Sequence, residues 1–265
     1  MVNPKKYGVW AVVLGAAEGI GEAFCRELAS RGMNILMVDI QEELIKKLSH
    51  QLIAAYQIKT KVIIQDLADE KAAEIVTQEI RKIGGHLVIY NAAYGPVKKF
   101  IQNSSEEIDR YLNLNCRTPI HLIHQLVPFW TGKPSGIIIM SSLAGLFGVQ
   151  LVAPYSASKA FDVNLGEALY HELKPSNIDV LVCCAGATDT PNFRKTNPNL
   201  SITFKPHIAK PGKVAKEALD NIGKKALHIA GFKNRLNYFL LSRVLPRKFA
   251  SVIFNSTMKS LYPNV

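Results

Sequence analysis

Apolar runs of strand length alternate with helix-length amphipathic segments along this chain. The strand-like runs fall at 9–15, 34–39, 61–66, 86–91, 136–142 and 179–184, with a weaker one at 226–230. Between them, helical periodicity marks 19–30, 42–56, 69–82, 104–129, 154–173 and 214–223. Nearly every strand run is continuously apolar instead of alternating, as expected where helices cover both faces of a parallel sheet. The order predicts the α/β class: a three-layer, doubly wound, mainly parallel sheet of seven strands with helices on both faces. One segment breaks the alternation. ATDTPNFRKTNPNLSITFKPHIAKPG, residues 187–212, is long, proline-rich and polar, and inside a compact domain such a stretch reads as a mobile lid.

With 265 residues, 48% of them hydrophobic, and a mean hydropathy of +0.08, the chain suits one domain with a large core, residues 1–265. No repeat, low-complexity tract or linker divides it. The formal charge of +11 is unevenly spread. From Arg194 onward there are fourteen lysines and arginines against Glu217 and Asp220, a surplus of 12, so residues 1–193 sit near −1. The basic quarter includes an amphipathic helical extension at about 232–262, compatible with an anionic substrate or with peripheral contact to a membrane surface. Nucleic acid is not expected, because the basic residues lack interleaved aromatics and any reading motif.

The start, MVNPKKYGVWAVVLGAA, imitates a signal peptide, but its apolar run leads directly into a glycine-rich turn and is read as the first strand. The stretch 236–254 is interrupted by Arg243, Pro246, Arg247 and Lys248 and is too broken to span a bilayer. Cys25, Cys116, Cys183 and Cys184 have neither disulfide density nor metal-knuckle spacing. A reducing, cytoplasmic location follows as the expectation. His121 and His124 lie near Cys116, yet no flanking carboxylate supports a metal site.

Candidate chemistry begins at the first strand's end. Gly15, Gly19 and Gly21 frame a turn, with Ala17, Glu18 and Ile20 between them, and a helix follows at once. Such a turn lets a pyrophosphate approach the backbone at a helix N-terminus, where N–H groups are free. Asp39 closes the second strand, followed by Ile40, at the distance where a carboxylate accepts the adenosine ribose hydroxyls. Its charge would repel a 2′-phosphate, and Glu18 adds to the repulsion. Both point to NAD over NADP.

The stretch YSASK puts Tyr155 and Lys159 four residues apart at the start of a helix, so their polar ends share one small volume. With this the chain resembles the short-chain dehydrogenase/reductase family over about residues 7–230, and the resemblance implies a Rossmann fold. Gly15-x-x-x-Gly19-Ile20-Gly21 matches that family's cofactor turn, Asp66-Leu67 its adenine-contacting pair, and Asn91-Ala92-Ala93 its Asn-Ala-Gly element. Asn115 matches its helical asparagine, Ser142 its catalytic serine, and Tyr155-x-x-x-Lys159 its catalytic motif.

Four positions depart from the pattern. Leu14 stands for a usual threonine, Tyr90 and Ala93 for an asparagine and a glycine, and Ala185-Gly186 for Pro-Gly. These alter the cofactor's surroundings and leave the proton-transfer groups intact. The resemblance implies interconversion of a secondary alcohol and a ketone by hydride transfer, with Tyr155 as general acid and base. It makes Lys159 both the cation that favours a phenolate and a holder of the nicotinamide ribose. Ser142 would bond the substrate oxygen, Asn115 would anchor a relay water, and Gly186 and Thr188, with Ala187 and Thr190, would adjoin the nicotinamide.

Substrate choice should reside in the lid, where Phe193, Leu200, Ile202 and Phe204 mix with Arg194, Lys195 and Lys205, and in the C-terminal helix. That mixture, and a tail resembling the ketoacyl reductase and hydroxysteroid dehydrogenase branch, suit an apolar carbonyl or alcohol substrate: an acyl thioester, a lipid or a steroid. The resemblance also implies a homodimer or homotetramer. The alternative is a nucleotide-binding regulatory protein with little or no catalysis.

Overall fold

The structure, a computed structural model, describes residues 4–202 and 206–265. Seven strands form one sheet: β1 (Trp10–Leu14), β2 (Asn34–Asp39), β3 (Thr60–Ile64), β4 (Leu87–Tyr90), β5 (Ser135–Ser142), β6 (Ile178–Ala185) and β7 (Leu227–Ile229). Their spatial order is β3-β2-β1-β4-β5-β6-β7 and every pairing is parallel. The winding reverses between β1 and β4, which opens a crevice at the strands' carboxyl ends.

Side chains alternate across the sheet and feed two cores. From β1, Ala11 and Val13 join Phe24, Leu28, Ile45 and Leu219 on one side, supplied by helices α1 (Gly19–Ser30), α2 (Glu42–Tyr56) and α8 (Pro211–Asn221). Val12 and Leu14 join Val76, Ile80, Leu126 and Trp130 on the other, supplied by α3 (Ala72–Ile83) and α5 (Thr118–Trp130). The long α6 (Ala153–Leu173) packs on β5 and β6. Gly166 permits this, since a Cβ there would lie 2.1 Å from Val182 Cγ2.

The expected helix 104–129 is broken in two. After α4 (Ser105–Leu112) comes a π-turn, Asn113–Arg117, and then α5. Pro119 has no N–H for the Asn115 carbonyl, and Thr118 N reaches back five residues to Asn113 O. The Leu114 carbonyl, skipped by this wide turn, takes the Tyr90 hydroxyl at 2.6 Å.

The expected C-terminal helix is likewise divided. It comprises α9 (Phe232–Phe239), a π-turn at Leu240–Val244, and α10 (Arg247–Leu261), because Pro246 forces Leu245 into extended backbone. The 187–212 segment has a stapled base, where Ala187 and Asp189 exchange backbone bonds with Ala209 at 2.9 Å, and it carries α7 (Pro191–Lys195). Phe204 and Lys205 lie outside the described residues. None of the described helices is long and apolar enough to cross a membrane.

Candidate active site

The glycine turn is built by close backbone approach. Gly15, at φ +77°, lies so near the β4 loop that a Cβ would sit 2.7 Å from Ala92 Cα, and one on Gly21 would sit 1.8 Å from Gly15 O. Leu14 pairs with Tyr90, which sets the following residues side by side. Asn91 accordingly donates Nδ2–H to Gly15 O at 2.8 Å, and Ala92 and Ala93 continue along the turn. Glu18 enters α1 in extended backbone and its side chain caps no N–H. The first N–H groups of α1 and its positive dipole end are therefore open to an anion. Ile20 is half-buried against the core.

Asp39 ties the turn to β2. Its Oδ2 accepts Ala17 N at 2.9 Å and its Oδ1 accepts Gln41 N at 3.0 Å. A carboxylate has about four acceptor positions, so two remain for ribose hydroxyls. Ile40 beside it is exposed. Asp66, in the loop after β3, accepts Ala68 N and is gripped in a fork by Arg110 of α4 at 2.9 and 3.2 Å. Arg110 was not singled out from the sequence; only the fold brings α4 to this loop. Leu67 is buried and its carbonyl accepts the Thr118 hydroxyl.

At the catalytic end, β5 delivers Ser142 opposite Ala185 of β6. Ser142 Oγ accepts Ala144 N at 3.1 Å, which leaves its O–H free to donate. Ser141 locks β5 to α6 by donating to the Lys159 carbonyl at 2.8 Å. On α6, Tyr155 is half-buried and Lys159 buried, with the ammonium 5.8 Å from the centre of the Tyr155 ring. Among the described residues nothing bonds the Tyr155 hydroxyl. Lys159 donates to Met140 O and to Asp162 Oδ2, each at 2.8 Å, leaving its third N–H uncommitted. Burial opposes the lysine's charge, but the Asp162 carboxylate outweighs it and holds the ammonium above the usual lysine range.

Asn115, within the π-turn, spends its amide on structure. Its Oδ1 accepts Tyr94 N at 2.8 Å, and Nδ2 donates to Tyr94 O and Ser158 Oγ, both at 2.9 Å. Its backbone carbonyl lacks the usual donor four residues on, because Pro119 has no N–H. The Thr188 hydroxyl donates to Gly186 O at 2.9 Å, and Gly186 lies against Asn234, where a Cβ would come within 2.7 Å of Nδ2. Thr190 caps α7. His121 and His124 are exposed on α5, away from this cluster.

The C-terminal helices close onto the loop after β5. Phe147, in the loop after Ser142, stacks on Phe254 of α10 at 5.0 Å and meets Tyr238 of α9 edge-on at 6.0 Å. Asn255 accepts Gln150 N and donates to Gly148 O. Tyr262 bonds Thr196, and Leu261 O accepts Asn199 N, which closes α10 onto the lid segment.

The family model for the short chain dehydrogenase matches residues 9–201. The chain belongs to this family. As a short-chain dehydrogenase it is an oxidoreductase that interconverts an alcohol and a ketone with a nicotinamide dinucleotide. The chain is 30% identical over 238 residues to a 7beta-hydroxysteroid dehydrogenase of Mediterraneibacter gnavus, covering 89% of this chain and 90% of that protein. It is 31% identical over 182 residues to a very-long-chain 3-oxoacyl-CoA reductase of Anas platyrhynchos, covering 65% and 57%. A solved 7beta-hydroxysteroid dehydrogenase structure superposes with a TM-score of 0.85 at 27% identity, covering 96% of this chain and 99% of that one. The match shows one fold shared over nearly the whole of both chains.

Proposed function

We propose that this dehydrogenase uses NAD to interconvert a ketone and a secondary alcohol on a bulky apolar substrate, with Tyr155 as the proton donor and acceptor. The supporting observation is the placing at the sheet's carboxyl edge of a Tyr155 hydroxyl without a partner among the described residues, a cationic Lys159 and a Ser142 hydroxyl free to donate, together with the glycine turn at the end of β1. The turn fits a dinucleotide: its backbone is drawn in so tightly at Gly15 and Gly21 that neither could carry a Cβ, and the Glu18 side chain leaves the first α1 N–H groups uncapped for a pyrophosphate. Gly15, Ala17, Gly19, Ile20 and Gly21 would hold the pyrophosphate. Asp39 and Ile40 would hold the adenosine ribose, Asp66 and Leu67 the adenine, and Asn91 to Ala93 with Gly186 and Thr188 the nicotinamide half. Bound there, the nicotinamide supplies or takes the hydride.

The protein groups manage the proton and the oxygen's charge. Ser142 donates to the substrate oxygen and stabilises charge developing there. Tyr155 passes its proton to that oxygen in reduction and removes it in oxidation, and the adjacent ammonium favours the phenolate it leaves. The Asn115 carbonyl anchors the relay that restores the proton. NAD is preferred because Asp39 and Glu18 meet the ribose with negative charge, which a 2′-phosphate would oppose.

The aromatic wall of Phe147, Tyr238 and Phe254, and relatives named for hydroxysteroids and 3-oxoacyl-CoA, support a steroid or acyl thioester substrate. A homo-oligomer in the cytoplasm fits the family. Around the wall, α9, the π-turn after it and α10 expose Phe232, Phe239, Val244, Phe249 and Val252 beside Lys233, Arg243, Arg247 and Lys248, a surface suited to transient contact with anionic lipid. Titration with NADH and NADPH, read by energy transfer from protein to nicotinamide fluorescence, tests the core of this reading. Tighter NADH binding that weakens in Asp39→Ala, followed by turnover of steroid ketones or 3-oxoacyl thioesters, is expected. Binding of neither dinucleotide would overturn it and favour a non-catalytic role.

A further inference from the structure

Lys159 and Asp162 form an ion pair three residues apart on α6, on the helix face turned into the protein. Pairs at this spacing ordinarily lie on a helix surface and contribute little. Here the lysine is 2% and the aspartate 1% exposed. Asp162 Oδ2 takes the ammonium at 2.8 Å, while its Oδ1 has no partner among the described residues. A buried carboxylate with one oxygen unmatched is costly, so the pair holds together chiefly through the lysine's charge.

The other titratable groups around the pair are neutral near neutral pH. Cys116 of the π-turn is pushed up to about 11, and Cys184 of β6 to about 12, both chiefly by burial. Tyr90 of β4 is raised by burial, with Asp162 adding to the effect. Glu167, one turn further along α6, acts on Cys184 and makes no bond to Lys159. On the lysine's other side stands Tyr155. Asp162 is thus the one charged group bonded to Lys159 among the described residues.

We infer that Asp162 is a positioning residue for Lys159: its carboxylate holds the ammonium against the Met140 carbonyl and supplies the counter-charge that keeps the buried lysine cationic while Tyr155 changes protonation. This rests on the proposed roles of Tyr155 and Lys159. The ammonium has three N–H groups. Two are fixed inward by Met140 and Asp162, so the third is directed by geometry and not by a search among rotamers. Without the carboxylate, burial is left to strip the proton from the lysine, and the phenolate loses its cation as the pH rises.

Asp162→Asn keeps the shape and one acceptor oxygen but removes the charge. In alcohol oxidation, kcat/KM rises with pH as the phenol ionises. In the variant that rising limb should move upward by at least one pH unit, and Asp162→Glu should move it back. A limb that stays in place while kcat/KM falls at every pH would mean a structural role only, and one that moves downward would mean the carboxylate opposes the lysine. Either overturns the inference. Thermal midpoints of Lys159→Met and of the double variant Lys159→Met/Asp162→Asn decide it without activity. The single variant, with a lone buried carboxylate, should melt well below wild type, and the double should recover most of the loss. Simply additive losses, or a double variant that does not fold, would overturn the inference. If the wild type reduces no carbonyl, the catalytic reading fails while this comparison still decides the pair.

Discussion

The Tyr155 ring lies flat against Gly95: a Cβ at that glycine would sit 2.5 Å from Tyr155 Cδ2 and 3.0 Å from Cε2. The loop after β4 therefore serves as the bearing surface for the proposed proton-transfer residue. Gly95→Ala should push the ring aside, and displacements of this order cost about 10²-fold in rate. The check is kcat for carbonyl reduction beside the NADH dissociation constant, which should change little.

Removing the Tyr155 hydroxyl alone isolates the chemistry. Tyr155→Phe keeps the ring on Gly95 and should lower kcat by roughly 10²- to 10⁴-fold, the usual worth of a positioned acid or base. NADH affinity should stay near wild type in the same fluorescence titration.

Asn91 also braces the proposed cofactor turn through Gly15. Its amide holds Gly15 O at 2.8 Å, and deleting it leaves that carbonyl without this partner at the crowded centre of the turn. A lost bond of this kind costs about 1–3 kcal/mol. Asn91→Ala should therefore bind NADH at least several-fold more weakly, with kcat at saturating NADH much less affected.

Acid should loosen the loop before α4. Glu107 receives Lys98 Nζ, Ser104 N and the Tyr94 hydroxyl, and these bonds, Lys98's first, hold its carboxyl down at about 2. Its folded value lies below its unfolded one, so the stabilisation is present above about 4.5 and is lost as the pH falls from there toward about 2. The wild-type melting temperature should drop more steeply across that window than that of Glu107→Gln.

The C-terminal cations offer a test of the proposed lipid or substrate contact. Replacing Arg243, Arg247 and Lys248 with glutamine should leave NADH affinity unchanged while reducing co-sedimentation with anionic phospholipid vesicles, or raising KM for an acyl thioester. If neither changes, the basic surface serves neither lipid nor substrate.

Most of what could be read from the sequence was local. Apolar runs marked all seven strands, the seventh weakly, and β2 ends at Asp39 and α1 starts at Gly19 as expected because those residues mark their own boundaries. Tyr155 and Lys159 were legible because helical spacing alone brings them together. Asp162 was not: three residues after a lysine it looks like a surface partner, and only the seating of α6 on β5 shows that the pair is internal. The same holds for Gly95 under Tyr155 and Arg110 on Asp66, contacts between segments distant in sequence. The π-turn at Asn113–Arg117 had a visible cause in Pro119, deep inside the expected helix, but the Tyr90 hydroxyl that occupies Leu114 O comes from another strand.

The wall that α9 and α10 build over Phe147 has a temporal consequence. All seven strands, the glycine cradle and Tyr155 precede Tyr238, Phe254 and Tyr262 in the chain. During synthesis the proposed cofactor half can assemble while Phe147 is still uncovered, and the aromatic wall follows only with α9 and α10. A nascent chain could thus hold dinucleotide before it could select a substrate, and frayed or clipped C-terminal helices would uncouple cofactor affinity from specificity in the mature protein.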